Sequence, residues 1–176
     1  MHPIPCSPAP RLSTITVSDT RTEQTDSGGA LLRKLLQDGG FALGPHELVP
    51  DELEEIRRAV QRHTDAEGVD AVVLTGGTGI GPRDVTVEAV EPLFTRKLDG
   101  FGEAFRRLSW DQVGVRAVLS RATAGTIGGR LVFVLPGSPK AVTLGVEKLI
   151  MPLLQHALQM LAGAGHEAGG HHPQSR

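Results

Sequence analysis

Cysteine, aromatic side chains and long apolar runs are all scarce in this chain of 176 residues. Its single cysteine, Cys6, cannot form a disulfide within one chain, so we expect a reducing, cytoplasmic environment. No apolar run reaches the ~18 residues that cross a membrane, and the N-terminus lacks the apolar core of a signal peptide. A formal net charge of −2 gives no basic footprint for nucleic acid. We therefore expect neither a membrane nor a nucleic acid as a partner.

Length and composition predict one domain over residues 11–162, large enough to bury a core. Residues 1–10 are predicted to form a Pro-rich N-terminal tail, and residues 163–176 a disordered C-terminal tail rich in glycine and histidine. Cys6 is not expected to act as a nucleophile, because a reactive thiolate needs a preorganised setting that a flexible tail lacks. His171 and His172 are likewise not expected to form a functional metal site.

Apolar periodicity predicts strands that alternate with helices. Strands are predicted at residues 12–17, 46–49, 71–74 and 131–135, the last as the second arm of a hairpin that starts at residue 124 and turns at Gly128-Gly129. Helices are predicted to begin at Ser27, Asp51, Thr86 and Ser138, and the last of them, extending to residue 161, is predicted to be interrupted or kinked at Pro152. This order predicts an α/β fold with three α/β/α layers, a mostly parallel Rossmann-like sheet, and ligands at the carboxyl ends of the strands.

The most informative segment is the glycine loop, residues 75–84, which follows the third predicted strand. It has four glycines within six residues and ends on Arg83 and Asp84. Such a strand-to-helix turn exposes backbone N–H groups that an anion can approach closely. The dinucleotide fingerprint fails because Pro82 replaces its third glycine, and the P-loop fails because Gly-Lys-Ser/Thr is missing. The pattern indicates a site for phosphate and a divalent metal, with a plain tight turn as the alternative.

Two predicted helix starts allow both a structural and a functional interpretation. Ser138, followed by Pro139 and Lys140, has the pattern of a helix cap, and a helix N-terminus also favours an anion. Asp51, with Glu54 three residues later, has the pattern of a capping box. From the residues alone, the cap interpretation of Asp51 is favoured over a catalytic one.

Four segments, in order and spacing, resemble the MoaB/Mog family of molybdenum-cofactor biosynthesis, the molybdopterin adenylyltransferases. The segments are residues 16–20 with 26–29 (TVSDT and DSGG), residues 75–84 (TGGTGIGPRD), residues 119–125 (LSRATAG) and residues 135–139 (LPGSP). The resemblance covers almost everything outside the two predicted tails. It implies a molybdopterin-binding-like fold and Mg²⁺-dependent transfer of AMP from ATP to the terminal phosphate of molybdopterin, with release of pyrophosphate.

The resemblance also implies roles for individual residues. Asp51 and Asp84 match two catalytically important carboxylates of the family, so they are expected to be catalytic and to bind Mg²⁺. This reverses the preference for Asp51 as a simple cap. The remaining matched residues are expected to bind substrate or phosphate: Ser18, Asp19, Asp26, Ser27, Gly28, Thr75, Gly76, Gly77, Thr78, Gly79, Arg83, Pro136, Gly137, Ser138 and Lys140. Asp19 and Asp26 are the weaker candidates, since a turn and a helix cap also explain them.

Two alternatives stay open at this point. One is a non-catalytic molybdopterin-binding or carrier protein of the same pathway. The other is a related domain of the molybdenum insertases or of the competence-damage family, whose longer chains share the glycine loop. The resemblance further implies a homotrimer or homohexamer. The sequence adds an apolar stripe, Phe101, Phe105, Leu108 and Trp110, which is more typical of a core than of an interface.

Overall fold

The computed structural model describes residues 8–163. Six strands lie at Arg11–Val17 (β1), Ala42–Val49 (β2), Ala71–Thr75 (β3), Arg96–Lys97 (β4), Thr123–Ile127 (β5) and Arg130–Leu135 (β6). Six α-helices lie at Ser27–Asp38 (α1), Leu53–Asp65 (α2), Thr86–Val90 (α3), Asp99–Val113 (α4), Pro139–Gly145 (α5) and Met151–Leu161 (α6). Cys6, His171, His172 and most of the two predicted tails lie outside the described residues.

All six strands form one sheet in the order β2-β1-β3-β6-β5-β4. β1 pairs in parallel with β2 and β3, and β3 pairs in parallel with β6. β5 runs against both of its neighbours, β6 and β4. The predicted hairpin is confirmed as β5–β6, and Gly128 and Gly129 have φ angles of 56° and 76°, as a tight hairpin turn requires.

Helices cover both faces of the sheet, so the predicted three-layer architecture is confirmed. Side chains of β3 alternate between two apolar clusters: Ala71 and Val73 belong to one, and Val72 and Leu74 to the other. The first cluster includes residues of α1, α4, α5 and α6, and the second includes residues of α2 and α3. Because β3 is buried on both faces, it appears in the sequence as a continuous apolar run.

The residue that caps the first helix lies one position before the predicted one. Ser27 is the first residue of α1, and the cap is Asp26, whose Oδ1 accepts the N–H of Gly29 at 2.8 Å. A carboxylate at this position satisfies one of the free N–H groups of the first turn. The helix stops at Asp38, and Gly39 is its C-cap.

The prediction that Asp51 caps the second helix is wrong. α2 begins at Leu53, with Glu52 at the cap position and no side-chain cap hydrogen bond. The carboxylate of Asp51 instead accepts the N–H of Asp19, in the loop that follows β1. The sequence has the local pattern of a capping box, but the Asp51 side chain makes a long-range hydrogen bond and does not cap the helix.

Two strands differ from the sequence predictions. β2 starts at Ala42, earlier than predicted, although it contains Gly44 and Pro45. It is an edge strand, where a proline that lacks an N–H is tolerated, and its pairing with β1 is irregular between Leu12 and Thr14. β4 is only two residues long and leaves no recognisable pattern in the sequence.

The break in the last helix lies just before the predicted position. α5 ends at Gly145, a π-helical stretch follows at Val146–Ile150, and α6 starts at Met151. Pro152 has no N–H to donate to the carbonyl four residues back, which explains an interruption at this point. None of the helices among residues 8–163 is long and apolar enough to cross a membrane.

Candidate functional site

The parallel strands bring their carboxyl ends to one edge of the sheet. The pairing aligns Val17 with Val49 and Thr75 with Leu135, so the loops after β1, β2, β3 and β6 start at the same level. β5 runs the other way, so its first residue, Thr123, also lies at this edge. The edge therefore gathers the predicted loops and, in addition, the segment that precedes β5.

The first carbonyl groups of the glycine loop are bound by Thr86, the first residue of α3. The Thr86 hydroxyl donates to the carbonyl oxygen of Gly76 at 2.9 Å, and the Thr86 N–H donates to that of Gly77 at 3.0 Å. Further along, the carbonyl oxygen of Gly81 accepts the N–H of Asp84 at 3.0 Å. Thr86 is fully buried, so it anchors the loop to the start of α3.

Arg121, in the segment before β5, binds three more carbonyl groups of the glycine loop. Its Nε donates to the carbonyl oxygen of Thr78 at 3.0 Å, and its Nη2 donates to those of Gly79 at 2.6 Å and Asp84 at 3.1 Å. Its Nη1 forms an ion pair with Glu88 of α3, and this hydrogen bond lowers the pKa of Glu88. One guanidinium thus joins the loop at both ends.

The N–H groups of the same loop are free where its carbonyl groups are bound. Among residues 8–163, nothing accepts a hydrogen bond from the N–H of Gly77, Thr78 or Gly79. These three residues line a cavity of about 390 Å³, which we call the larger cavity because it exceeds the one of about 160 Å³ that adjoins it. Gly76 and Gly77 have φ angles of 98° and 66°, which side chains rarely adopt. Successive unpaired N–H groups in such a turn favour the binding of an anion.

Both predicted catalytic carboxylates lie against this loop. Asp84 Oδ2 accepts the N–H of Gly81 at 3.0 Å and is 2.6 Å from the place that a Cβ on Gly79 would take. Asp51 Oδ1 is 2.7 Å from the corresponding position on Gly77. Any side chain at Gly77 or Gly79 would therefore displace a carboxylate, so the glycines let two acidic groups approach the main chain.

Asp51 belongs to a charged network with Asp19 and Arg83. The N–H of Asp51 donates to Asp19 Oδ1 at 2.9 Å, and Arg83 binds Asp19 Oδ2 at 2.9 Å through both Nε and Nη2. Burial, followed by the negative charges of Asp19 and Asp84, raises the pKa of Asp51. The N–H of Asp51 and the guanidinium of Arg83 lower the pKa of Asp19. Asp51 is therefore a carboxylate whose charge would be stabilised by a cation.

Asp51 and Asp84 supply the oxygen donors that Mg²⁺ prefers, and a cation between them would offset the burial and the neighbouring negative charges that raise the pKa of Asp51. Within the part of the chain that the structure describes, no group of three or more His, Cys, Asp or Glu side chains is arranged to hold a metal ion. A site with two carboxylates suits Mg²⁺, which usually keeps waters and binds substrate phosphates as well.

Two further parts line the larger cavity: the β6–α5 loop with the start of α5, and α4 with the turn after it. The first part contains four predicted residues: Pro136, Gly137, Ser138 and Lys140. Ser138 is also a helix cap, because its Oγ accepts the N–H of Ala141 at 3.2 Å. The second part contributes residues that the sequence did not identify, among them Ser109, Gln112, Arg116 and Ser120.

A smaller cavity of about 160 Å³ adjoins the larger one at Gly76 and Gly137, which line both. It contains four predicted residues of the β1–α1 loop and the start of α1, Ser18, Asp26, Ser27 and Gly28, together with Thr75 at the end of β3. A Cβ on Gly137 would stand 3.3 Å from the Cα of Gly76. At this point only main chain separates the two cavities.

Asp26 in the smaller cavity is buried, and both of its oxygens have protein partners. Oδ1 accepts the N–H of Gly29, and Oδ2 lies 3.1 Å from Nε2 of His46 on β2. The other ring nitrogen of His46 lies 2.8 Å from the hydroxyl of Thr14 on β1. Asp26 therefore fixes the start of α1 to the sheet, and the contact with substrate that the resemblance implies for it stays a prediction.

The structure brings every predicted site residue to one edge of the sheet, but not into one cavity. Asp19, Asp51 and Arg83 lie beside the glycine loop and line neither cavity. Sequence reasoning missed Thr86 and Arg121 as residues that hold the loop, because both act on main-chain carbonyl groups. One signal for Arg121 was available, since the first arm of a hairpin starts beside the end of its second arm.

The fold and site define a class of protein: a doubly wound α/β sheet whose carboxyl edge carries a glycine loop with free N–H groups. Residues 13–156 match the sequence profile of the family described as "Probable molybdopterin binding domain". The chain is 48% identical over 150 residues to "Molybdenum cofactor biosynthesis protein B" of Bacillus subtilis, which covers 85% of this chain and 88% of that protein.

Two crystal structures are similar over nearly their whole length. One, of "Molybdenum cofactor biosynthesis protein B", is 46% identical with a TM-score of 0.86 and covers 90% of this chain and 99% of the other. The second, "tungsten cofactor synthesizing protein MoaB" from Pyrococcus furiosus, is 38% identical with a TM-score of 0.80 and covers 89% and 99%. The chain belongs to this MoaB family of molybdenum-cofactor biosynthesis proteins, as the sequence resemblance predicted.

Proposed function

We propose that the protein is a Mg²⁺-dependent molybdopterin adenylyltransferase. A terminal phosphate oxygen of molybdopterin attacks the α-phosphorus of ATP. The bond from that phosphorus to the oxygen bridging to the β-phosphate breaks, so adenylylated molybdopterin forms and pyrophosphate leaves. The attacking phosphate is already ionised near neutral pH, so the reaction needs no general base.

The observation that carries this proposal is the orientation of the glycine loop. The N–H groups of Gly77, Thr78 and Gly79 are free at the larger cavity, and the carbonyl groups before and between them are bound by the protein. This arrangement favours a polyphosphate, whose negative oxygens accept several N–H groups at once. In such a transfer the protein mainly neutralises charge and aligns the reactants.

Asp51 and Asp84 would hold the Mg²⁺ at the side of this loop. When bound, the metal supplies positive charge that offsets the charge of the triphosphate. Lys140, the second residue of α5, adds a cation to the lining of the same cavity. The two adjoining cavities offer separate places for the two substrates.

The test is a transfer assay with purified protein, molybdopterin and MgATP. We expect pyrophosphate release well above a control without molybdopterin, together with adenylylated molybdopterin in the mass spectrum. The carrier alternative makes a different prediction, because such a protein retains molybdopterin through gel filtration and releases no pyrophosphate. That second outcome would replace the proposed transfer by binding alone.

We also propose that the protein is a homotrimer or homohexamer and that an apolar surface beside α4 forms its interface. The predicted stripe divides: Phe101 and Phe105 are buried in the core, whereas Trp110 is 53% exposed. In the turn that follows α4, Val118 is 63% exposed and Leu119 is 55% exposed. We call Trp110, Val118 and Leu119 the Trp110 patch. Trp110 and Val118 line one surface cavity, and Leu119 follows Val118 in the chain. Exposed apolar side chains of this kind favour contact with another protein surface.

A further inference from the structure

We propose that Arg121 is a positioning residue that turns the glycine loop toward phosphate and holds Asp84 in place. The inference rests on the proposed function, because it concerns the same loop. Arg121 is not among the residues that line the larger cavity, although its neighbour Ser120 is. It therefore acts through the main chain of the loop and not through contact with the ligand in that cavity.

In a planar trans peptide, the carbonyl group of one residue and the N–H of the next point in opposite directions. The described residues contain no cis peptide bond. A donor that binds a carbonyl oxygen on one side of the loop therefore fixes the following N–H on the other side.

By this rule, two residues orient the free N–H groups of the loop. Thr86 binds the carbonyl oxygens of Gly76 and Gly77, and so orients the N–H groups of Gly77 and Thr78. Arg121 binds the carbonyl oxygen of Thr78, and so orients the N–H of Gly79. Without Arg121, the third N–H of the series loses the contact that directs it.

The same guanidinium also reaches the far end of the loop. Nη2 bonds to the carbonyl oxygens of both Gly79 and Asp84, so it fixes the distance between the phosphate-facing turn and the acidic residue. The Asp84 carboxylate is oriented in turn by the N–H of Gly81. Arg121 thus couples two parts of the site that must act on the same triphosphate.

The alternative explanation is that the positive charge of Arg121 attracts the anionic ligand from a distance. The contacts of Arg121 fit this explanation less well than they fit a positioning role. Its charge is paired with Glu88, and its remaining contacts are to neutral carbonyl groups. The planar fork of a guanidinium can bind several carbonyl oxygens at once, whereas an ammonium is a compact point charge. A lysine at this position would keep the charge but lose the simultaneous hydrogen bonds to several carbonyl oxygens. The variant R121K therefore separates the effect of charge from the effect of positioning the loop.

The experiment compares wild type, R121K and R121Q by calorimetric titration with MgATP and with inorganic tripolyphosphate, and by steady-state transfer kinetics. Two controls accompany them: R58Q removes one exposed arginine charge from α2, and E88Q removes the ion pair but leaves the carbonyl contacts of Arg121. We expect the Kd for MgATP to rise about tenfold in both Arg121 variants, the effect of losing roughly one hydrogen bond. KM for ATP should rise with it, while KM for molybdopterin and the affinity of both controls stay near wild type.

Three outcomes would overturn the inference. A Kd for MgATP in R121K equal to that of the wild type would show that the charge of Arg121 matters and its hydrogen bonds to the loop do not. Equal losses toward ATP and molybdopterin, with a lowered Tm, would show a merely structural role. A wild-type protein that binds neither MgATP nor tripolyphosphate would overturn the proposed function, and this inference with it. R121K decides the question if R121Q proves insoluble.

Discussion

Asp19 and Asp51 exchange hydrogen bonds, each donating its backbone N–H to the carboxylate of the other, at 3.0 and 2.9 Å. They follow β1 and β2, which are neighbours in the sheet, so the exchange ties the first two loops of the edge together. Arg83 adds the glycine loop to this link by binding Asp19. Asp51 is thereby held beside a second negative charge, and this contributes to its raised pKa.

The affinity for MgATP should follow the ionisation of Asp51. Since the pKa of Asp51 lies above the ordinary 3.8, affinity should fall on acidification before an ordinary aspartate would be protonated. Asp19→Asn removes a negative neighbour and should move this loss to lower pH. Arg83→Gln removes a positive neighbour and should move it to higher pH. Calorimetric Kd values measured from neutral to acidic pH show the order in which the wild type and the two variants lose affinity. The ionisation of ATP itself affects all of them equally, so it does not change this order. A reversed order would contradict the assignment of Asp51.

Replacing either carboxylate should strongly slow transfer without unfolding the protein. Asp51→Asn and Asp84→Asn keep the side-chain shape, and we expect turnover to fall by ~10²-fold or more. Because folding raises the pKa of Asp51, its ionisation opposes folding at neutral pH, so Asp51→Asn should leave the free energy of unfolding unchanged or slightly higher. Activity should recover in part at high Mg²⁺.

The matched control for these variants is Asp65→Asn at the exposed end of α2, which should retain wild-type turnover. Full activity of Asp51→Asn would leave Asp84 as the single supported metal ligand. Initial rates of pyrophosphate release and urea denaturation of the same preparations give both quantities.

Gly76→Ala should destabilise the protein more than Gly40→Ala does. Both glycines have positive φ, 98° and 85°, so each substitution carries the conformational cost of a left-handed residue, roughly 1–2 kcal/mol. A Cβ on Gly40 meets open space, whereas one on Gly76 collides with the backbone oxygen of Val17. Urea denaturation measures the difference, and equal losses of stability would show that the loop can move away from β1.

Val118→Glu should dissociate the homo-oligomer, because it places a charge in the Trp110 patch. Met160→Glu is the matched control, since Met160 is 61% exposed on α6, outside the patch. Light scattering at micromolar concentration should show a monomer for the first variant and the wild-type mass for the second. A wild-type protein that is itself monomeric would contradict the proposed assembly.

Features that depend on neighbouring residues were predictable from the sequence. The apolar run of β3, the glycine density after it, and the Gly128-Gly129 turn each indicate local structure because local backbone preference decides them. The position of Ser138 before Pro139 correctly predicts the cap of α5.

Features that depend on distant contacts were not predictable in this way. Asp51 has the local pattern of a helix cap, but its partner is Asp19, 32 residues earlier. Arg121 binds carbonyl groups about 40 residues away in the chain, and main-chain acceptors leave no trace in residue types. β2 was underestimated because Pro45 argues against a strand, and only the edge position in the finished sheet makes it acceptable.

The meeting of Gly76 and Gly137 sets how rigidly the two cavities are spaced. No side chain stands between them, so no change of rotamer can widen or narrow the separation at this point. The spacing is fixed by the ladder beneath it, in which Thr75 pairs with Leu135 and the N–H of Gly76 donates to the Leu135 carbonyl at 3.1 Å. Two ligands bound on either side would therefore be held at a fixed spacing by the hydrogen bonds of the sheet itself.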